Sequence, residues 1–323
     1  MNRLERTIIR SAPVVFLSRI SKELIFPGFH GLPLYDVSKF LLKQINKVGL
    51  NERASAISFN LIMALPAGLI FLFSLIPYFP ESWSFQRQIL RLFRDISPNS
   101  ETAKFITGII ADLFTKHVGV FSFGFFLLMF YASNAMMGVI RTFDKSIQEQ
   151  KKFFLHKRWR AIRLTAILIF VVIASILFLF GQQQLKGLLN IPRSKNVAWL
   201  NFLRWCIIVC LLFYSVAFIY KFAPSVKKRW KLISPGSILA TALMLGTAII
   251  FSYWVSNFAS YGKVYGSIGT VLIIMLLIYI NSLILIIGFE LNVSITYLTH
   301  EAEERKGIEA EKLRKKKMKI HQS

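Results

Sequence analysis

Residues Ser260–Asn292 read SYGKVYGSIGTVLIIMLLIYINSLILIIGFELN. From Val264 to Phe289 there are 26 consecutive residues without a formal charge, more than the roughly 20 that a helix needs to cross a hydrocarbon core about 30 Å thick. The stretch therefore reads as a membrane span over about 266–289. A glycine-punctuated YGxxYGxxG turn leads into it, and the first charge beyond it is an acid, Glu290. Charge near hydrocarbon is costly when unpaired. Glu290 is thus either a headgroup-level carboxylate that orients the helix or one with a cationic partner or ligand, the candidate cations being Arg53, Arg141 and Lys221.

The rest of the composition agrees with that stretch. Of 323 residues, 54% are hydrophobic, 30 are Phe and only 17% are charged, which puts the chain in the class of polytopic, all-α membrane proteins. The net charge of +24 does not point to nucleic acid, because the basic residues sit between long apolar runs and form no single basic face. Anionic lipid headgroups are the better partners, each juxtamembrane Lys or Arg contributing about 1 kcal/mol near the surface. A homo-oligomer is left open. Cys206 and Cys210 stand one helical turn apart in an apolar run and read as packing residues, not as a disulfide or metal site.

Residues 1–53 form a basic region with nine Lys or Arg against four acids. Within it Val37, Phe40, Leu41, Gln44, Ile45 and Val48 recur at helical spacing, with Lys39, Lys43 and Lys47 along another face. This is an amphipathic helix that lies either on the membrane, basic side towards headgroups, or on the protein's own cytoplasmic face. Five further spans are predicted over about 54–79, 118–140, 164–181, 199–220 and 235–258, giving six in a domain over 54–298, followed by a basic tail over 299–323. Asn51 is the predicted N-cap of the first span, and Pro66 inside it predicts a kink. Tyr220 is among the candidate interface anchors. Gly236-xxx-Ala240 and Ala242-xxx-Gly246 predict close helix contacts in the fifth span. Residues 80–117 predict a helical hairpin, with Ser97 capping and Pro98 opening its second helix.

Lys and Arg set the orientation. The N-terminal region, the loops after the second and fourth spans and the tail hold 30 of them, and the other side holds 10. Both termini are therefore expected in the cytoplasm.

Two segments carry a resemblance. Tyr265-Gly266, Tyr279 and then Gly288-Phe289-Glu290-Leu291-Asn292, together with Glu52–Phe59 and Ala64-Leu65-Pro66, resemble the last and first spans of the YihY/BrkB family of bacterial inner-membrane proteins. The resemblance covers about residues 35–298. The chain departs from the family pattern at Asn60, where Tyr is usual, at Leu277, where Trp is common, and at Phe289, where Ala is usual. It implies a multi-pass inner-membrane protein of a family at times labelled a ribonuclease. The residues oppose that label: the four aspartates, Asp36, Asp95, Asp112 and Asp144, are spread over separate segments, so a two-metal carboxylate centre is hard to assemble. No HExxH, Walker or GxSxG motif occurs, and no metal or cofactor is expected.

What remains is a polar set inside the spans: Asn60, Asn134, Tyr279, Asn281 and Glu290, with Pro66. Such groups line substrate pathways, and they are also ordinary packing devices. The expectation is a transporter or a lipid or amphiphile translocator with a polar-lined cavity between the first, second and last spans, the alternative being a non-catalytic membrane scaffold or envelope assembly factor.

Overall fold

The computed structural model describes residues 19, 21–78, 86, 107–108, 111, 118–147, 154–188, 198–226, 229–257 and 260–321. Among these every regular element is helical, as a backbone immersed in hydrocarbon requires, since each N–H and C=O must be satisfied within its own segment. Helix α1 spans Leu34–Val48, α2 Leu50–Leu75, α3 Val118–Ile147, α4 Phe154–Leu188, α5 Ala198–Phe222, α6 Pro235–Asn257 and α7 Ser260–His321. A 3₁₀ turn, Ile76–Tyr78, extends α2. Among the described residues five stretches are long and apolar enough to cross a membrane: Leu50–Tyr78, Gly119–Ile147, Trp205–Phe222, Pro235–Trp254 and Val271–Glu311. Helix α4 occupies the place of the predicted third span, with its side chains described as far as Ser175. The chain is a polytopic all-α membrane protein. The predicted hairpin over 80–117 lies almost wholly outside the described residues.

Several boundaries differ from expectation. The first span is preceded not by an Asn51 cap but by Gly49, whose φ of 67° ends α1 and starts α2 in one turn; this left-handed geometry suits glycine. Pro66 lies inside this helix, where the sequence reading put it. The YGxxYGxxG segment is not a turn either: α7 is helical from Ser260, including Tyr265 and Gly266. Inside a membrane a glycine helix is preferable to an open turn, because a turn would leave backbone groups unpaired. The span and the charged tail are one helix of 62 residues, so Glu290 lies inside a helix and not at its end.

Helices α2 to α7 form a ring: each touches the next along the chain, and α7 closes it against α2. Packing is tightest at the end that carries α1 and the extension of α7, called here the basic end. There Phe143, Tyr220, Ile286 and Phe289 are almost fully buried, with the Phe143 and Phe289 rings stacked 3.5 Å apart. Away from it α7 is exposed at Val271, Leu272 and Leu276 and α6 at Ile249 and Ile250. An apolar outer surface this extensive is what lipid tails cover.

Of the two placements open to α1, the structure has it on the protein itself. Val37 is fully buried in a cluster with Phe29, Leu291 and Ile295, and Phe40 stacks on Tyr297 at 5.0 Å.

Candidate functional site

In lipid, apolar side chains gain little by leaving one apolar surface for another, so helices are held by close backbone approach and by hydrogen bonds. The segment Gly288-Phe289-Glu290-Leu291-Asn292 supplies both. Successive residues on a helix are turned by about 100°, and each of these addresses a different neighbour. Gly288 and Asn292, one turn apart, face the start of α6. A Cβ on Gly236 would lie 2.0 Å from the Gly288 carbonyl oxygen, and a Cβ on Gly288 would lie 2.5 Å from the Tyr220 hydroxyl. Asn292 Oδ1 accepts from the Gly236 N–H at 2.8 Å, and its amide donates to Ser234 Oγ at 2.9 Å. That satisfies one of the unpaired N–H groups at the start of α6. Of the two small-residue pairs predicted in this helix, Gly236 and Ala240 make the contact; Ala242 is exposed and Gly246 meets nothing within 4 Å. Tyr220, read as an interface anchor, is instead 1% exposed and donates to the Leu285 carbonyl at 2.7 Å.

Glu290 points the other way, towards α2 and α3, and is fully buried. Of the three candidate cations the structure brings Arg53 to it, at 3.9 Å between Nη1 and Oε1. The space between them is bridged by Ser146 of α3, a residue that sequence reading missed. Ser146 Oγ accepts from Arg53 Nη1 at 2.9 Å and donates to Glu290 Oε1. Arg53 Nη1 also reaches the Thr142 carbonyl at 3.4 Å. Arg53 Nε and Glu290 Oε2 are buried without a hydrogen-bond partner. Lys221 instead places its ammonium 5.5 Å from the Phe222 ring centre, and the side chain of Arg141 is exposed.

A second polar hub joins the ends of α3, α4 and α5. Asp144 pairs with Lys157 at 2.7 Å and accepts from the Ser225 N–H at 2.9 Å, while Arg160 donates to Ser225 Oγ at 2.8 Å. The signal for it was present: Asp144 is one of only two acids in an otherwise basic loop.

The other polar candidates do not converge. The Asn60 amide bonds the Ala56 carbonyl and the Asn281 amide the Leu277 carbonyl, both in their own helices. Asn134 Oδ1 accepts from Arg158 Nη1 at 2.5 Å. Tyr279 is half-buried against the core and Pro66 is exposed.

None of them lines the apolar space beside these helices. That space is a groove of about 500 Å³ walled by α2, α3 and α4 with Ile219 of α5 and Ile278 and Leu285 of α7. Among the described residues its lining is apolar apart from Thr165, unlike the polar lining expected from the sequence. Leu61, Leu65 and Leu69 line it and are 38–51% exposed, so it opens sideways along α2. On α2 its lining runs from Ile57 to Leu72, about 22 Å at 1.5 Å per residue.

Among the described residues no three His, Cys, Asp or Glu side chains gather as a metal site would require. No solved structure matches the chain. The ribonuclease-like protein YfkH of Bacillus subtilis is 25% identical over 261 residues, 78% of this chain and 94% of that protein. A UPF0761 membrane protein of Idiomarina loihiensis is 26% identical over 95 residues, 29% of this chain and 34% of its own length. One from Pseudoalteromonas translucida is 30% identical over 78 residues, 24% of this chain and 26% of its own. The family model described as virulence factor BrkB matches residues 41–314. With the packing of Gly288, Glu290 and Asn292 falling inside that match, the chain belongs to the virulence factor BrkB family.

Proposed function

We propose that this protein binds an amphiphile in the bilayer and carries it along the groove between α2, α3 and α4, without catalysing a reaction on it. The observation that carries this reading is the length and character of the groove. Its lining extends about 22 Å along α2, beyond the roughly 15 Å half-thickness of the hydrocarbon core, and it is open to the side at Leu61, Leu65 and Leu69. A hydrocarbon tail can enter such a groove from lipid and pass the midplane without meeting a charge. On this reading the basic end faces the cytoplasm from a bacterial inner membrane, as the excess of Lys and Arg supports, and gathers anionic headgroups. The Arg53–Ser146–Glu290 cluster closes the bundle there and keeps water out. Nucleic acid has no part in this reading.

The test is transbilayer movement of a fluorescent phospholipid in proteoliposomes, read by reduction of the outer-leaflet dye. Wild-type protein should speed the movement, and Ala135→Trp, which fills the groove, should slow it at least several-fold with the protein still folded. No acceleration by the wild type sinks the proposal. A scaffold role is the second reading, favoured by α7, which continues 24 residues past Tyr297, where it packs on Phe40, as an arm about 36 Å long. Co-purification of a stoichiometric partner bound to that arm, with no lipid movement, would establish it.

A further inference from the structure

The chain ahead of α1 holds three apolar side chains away from the protein. Leu24, Ile25 and Phe26 follow one another and are 40–55% exposed, whereas Phe29 is 5% exposed in the cluster with Val37, Leu291 and Ile295. The loop that carries them is firmly tied. The Leu34 N–H donates to the Leu24 carbonyl at 2.9 Å, the Phe29 N–H to the Phe26 carbonyl at 3.1 Å and the Leu32 N–H to the Phe29 carbonyl at 3.0 Å. Gly28 makes the turn at a φ of 93°, a conformation that favours glycine, and the Phe26 ring stands edge-on to Phe29 at 5.8 Å. Adjacent apolar side chains held outward in this way mark an interaction surface.

What covers them follows from the level at which the loop sits. A Cβ on Gly28 would lie 2.9 Å from Pro235 Cγ, and Pro235 is the first residue of a membrane-crossing stretch. Phe26 is two residues from Gly28, so their Cα atoms are at most about 7 Å apart. The loop is thus held at the end of a span, where hydrocarbon gives way to headgroups. Ile233 and Ile238, on either side of Pro235, are 67% and 52% exposed. Charge near the loop fits the same boundary. Lys22 and Lys39 are exposed and converge on the Tyr35 ring, their ammonium groups 5.1 and 6.0 Å from its centre. Tyr35 follows Leu34, which ties the loop. The exposed acids of this stretch are Glu23 and Asp36.

We propose that Leu24, Ile25 and Phe26 form a wedge that inserts into the lipid leaflet at the basic end, with Lys22 and Lys39 meeting the phosphates of anionic lipids beside it. An apolar tip that enters the boundary of headgroups and acyl chains, backed by cations, binds an anionic bilayer surface through both terms. The membrane contact expected of α1 passes to the loop ahead of it: α1 turns Val37 and Phe40 to α7, and the loop turns its own apolar residues outward. The wedge does not depend on what the groove between α2, α3 and α4 carries.

The experiment uses the full chain in liposomes of phosphatidylglycerol and phosphatidylcholine, with Cys206→Ala and Cys210→Ala and a nitroxide on one introduced cysteine. Collisions with oxygen, which concentrates in lipid, and with a nickel chelate, which stays in water, are read at each position. Ile25→Cys and Phe26→Cys should favour oxygen as Ile250→Cys does, 71% exposed on α6, and unlike Ile308→Cys, 54% exposed on the extension of α7. Each of these side chains is exposed, so the substitutions leave the packing untouched. A label at position 26 as open to nickel as one at position 308 overturns the wedge. Shielding from both reagents overturns it too, because protein and not lipid would then cover the loop. Lys22→Gln should raise nickel access at Phe26→Cys roughly five-fold, the equivalent of about 1 kcal/mol for one lysine near anionic lipid, and liposomes of phosphatidylcholine alone should do at least as much. Access unchanged in both overturns the role of the phosphates. No lipid has to cross the bilayer for any of these readings, so the wedge and translocation stand or fall separately.

Discussion

Arg53 Nη1 and Glu290 Oε1 stop 3.9 Å apart, and the Ser146 hydroxyl joins them, taking a hydrogen bond from the guanidinium and giving one to the carboxylate. Three helices, α2, α3 and α7, thus meet through three side chains at the buried end of the bundle. A charge pair in such a place gains little over apolar residues of the same shape, but breaking it leaves a buried charge without its partner.

The pair should therefore behave asymmetrically under substitution. Arg53→Met or Glu290→Leu alone should destabilise the detergent-solubilised protein by about 3–5 kcal/mol, and the double variant should lose distinctly less than the sum. Thermal unfolding of the three variants and wild type closes the cycle. Additive losses would show that the two residues are not coupled.

Ser146→Ala tests the bridge itself. Removing the hydroxyl leaves Glu290 Oε1 without its hydrogen bond and should cost about 1–3 kcal/mol, with Ser146→Thr recovering part of it. A loss below 0.5 kcal/mol, about the scale of ordinary surface changes, would make Ser146 a bystander.

The close approach of α6 and α7 gives a sharper contrast. A Cβ at Gly236 would stand 2.0 Å from the Gly288 carbonyl oxygen, whereas one at Gly246 meets nothing within 4 Å. Gly236→Ala should abolish folded monodisperse protein or lower its melting temperature drastically. Gly246→Ala should be neutral or stabilising by up to about 1 kcal/mol, the helix propensity difference. Size-exclusion profiles of the two variants, expressed side by side, decide it.

The contrast also shows what was legible in the sequence. Gly236-xxx-Ala240 and Ala242-xxx-Gly246 are the same pattern, yet among the described residues only the first meets a neighbour, because the spacing alone does not say which face of the helix another helix will approach. The spans were legible for a simple reason: a long uncharged run has few alternatives to crossing a bilayer. Glu290 stood out as an acid beside such a run, but choosing Arg53 over Arg141 and Lys221 needed the ring of helices. The groove was hidden. Leu61, Leu65 and Leu69 look the same in sequence as Phe59 and Met63, whether they face a cavity or lipid. The polar residues drew attention instead, and Asn60 and Asn281 turn out to bond their own helices.

That difference separates two kinds of asparagine. Asn292 ties α7 to the start of α6 through both its amide atoms, to the Gly236 N–H and to Ser234 Oγ; Asn292→Ala should cost about 1–2 kcal/mol, as the loss of a helix cap does. Asn60 and Asn281 each return a hydrogen to a carbonyl four residues back that already serves the helix, so their replacement by alanine should change stability by less than about 0.5 kcal/mol. Lipid movement should follow the same division: if the apolar groove is the path, Asn60→Ala and Asn281→Ala should leave it near the wild-type rate. A strong loss of movement in either alanine variant, with the fold intact, would place the path along the polar residues and away from the groove.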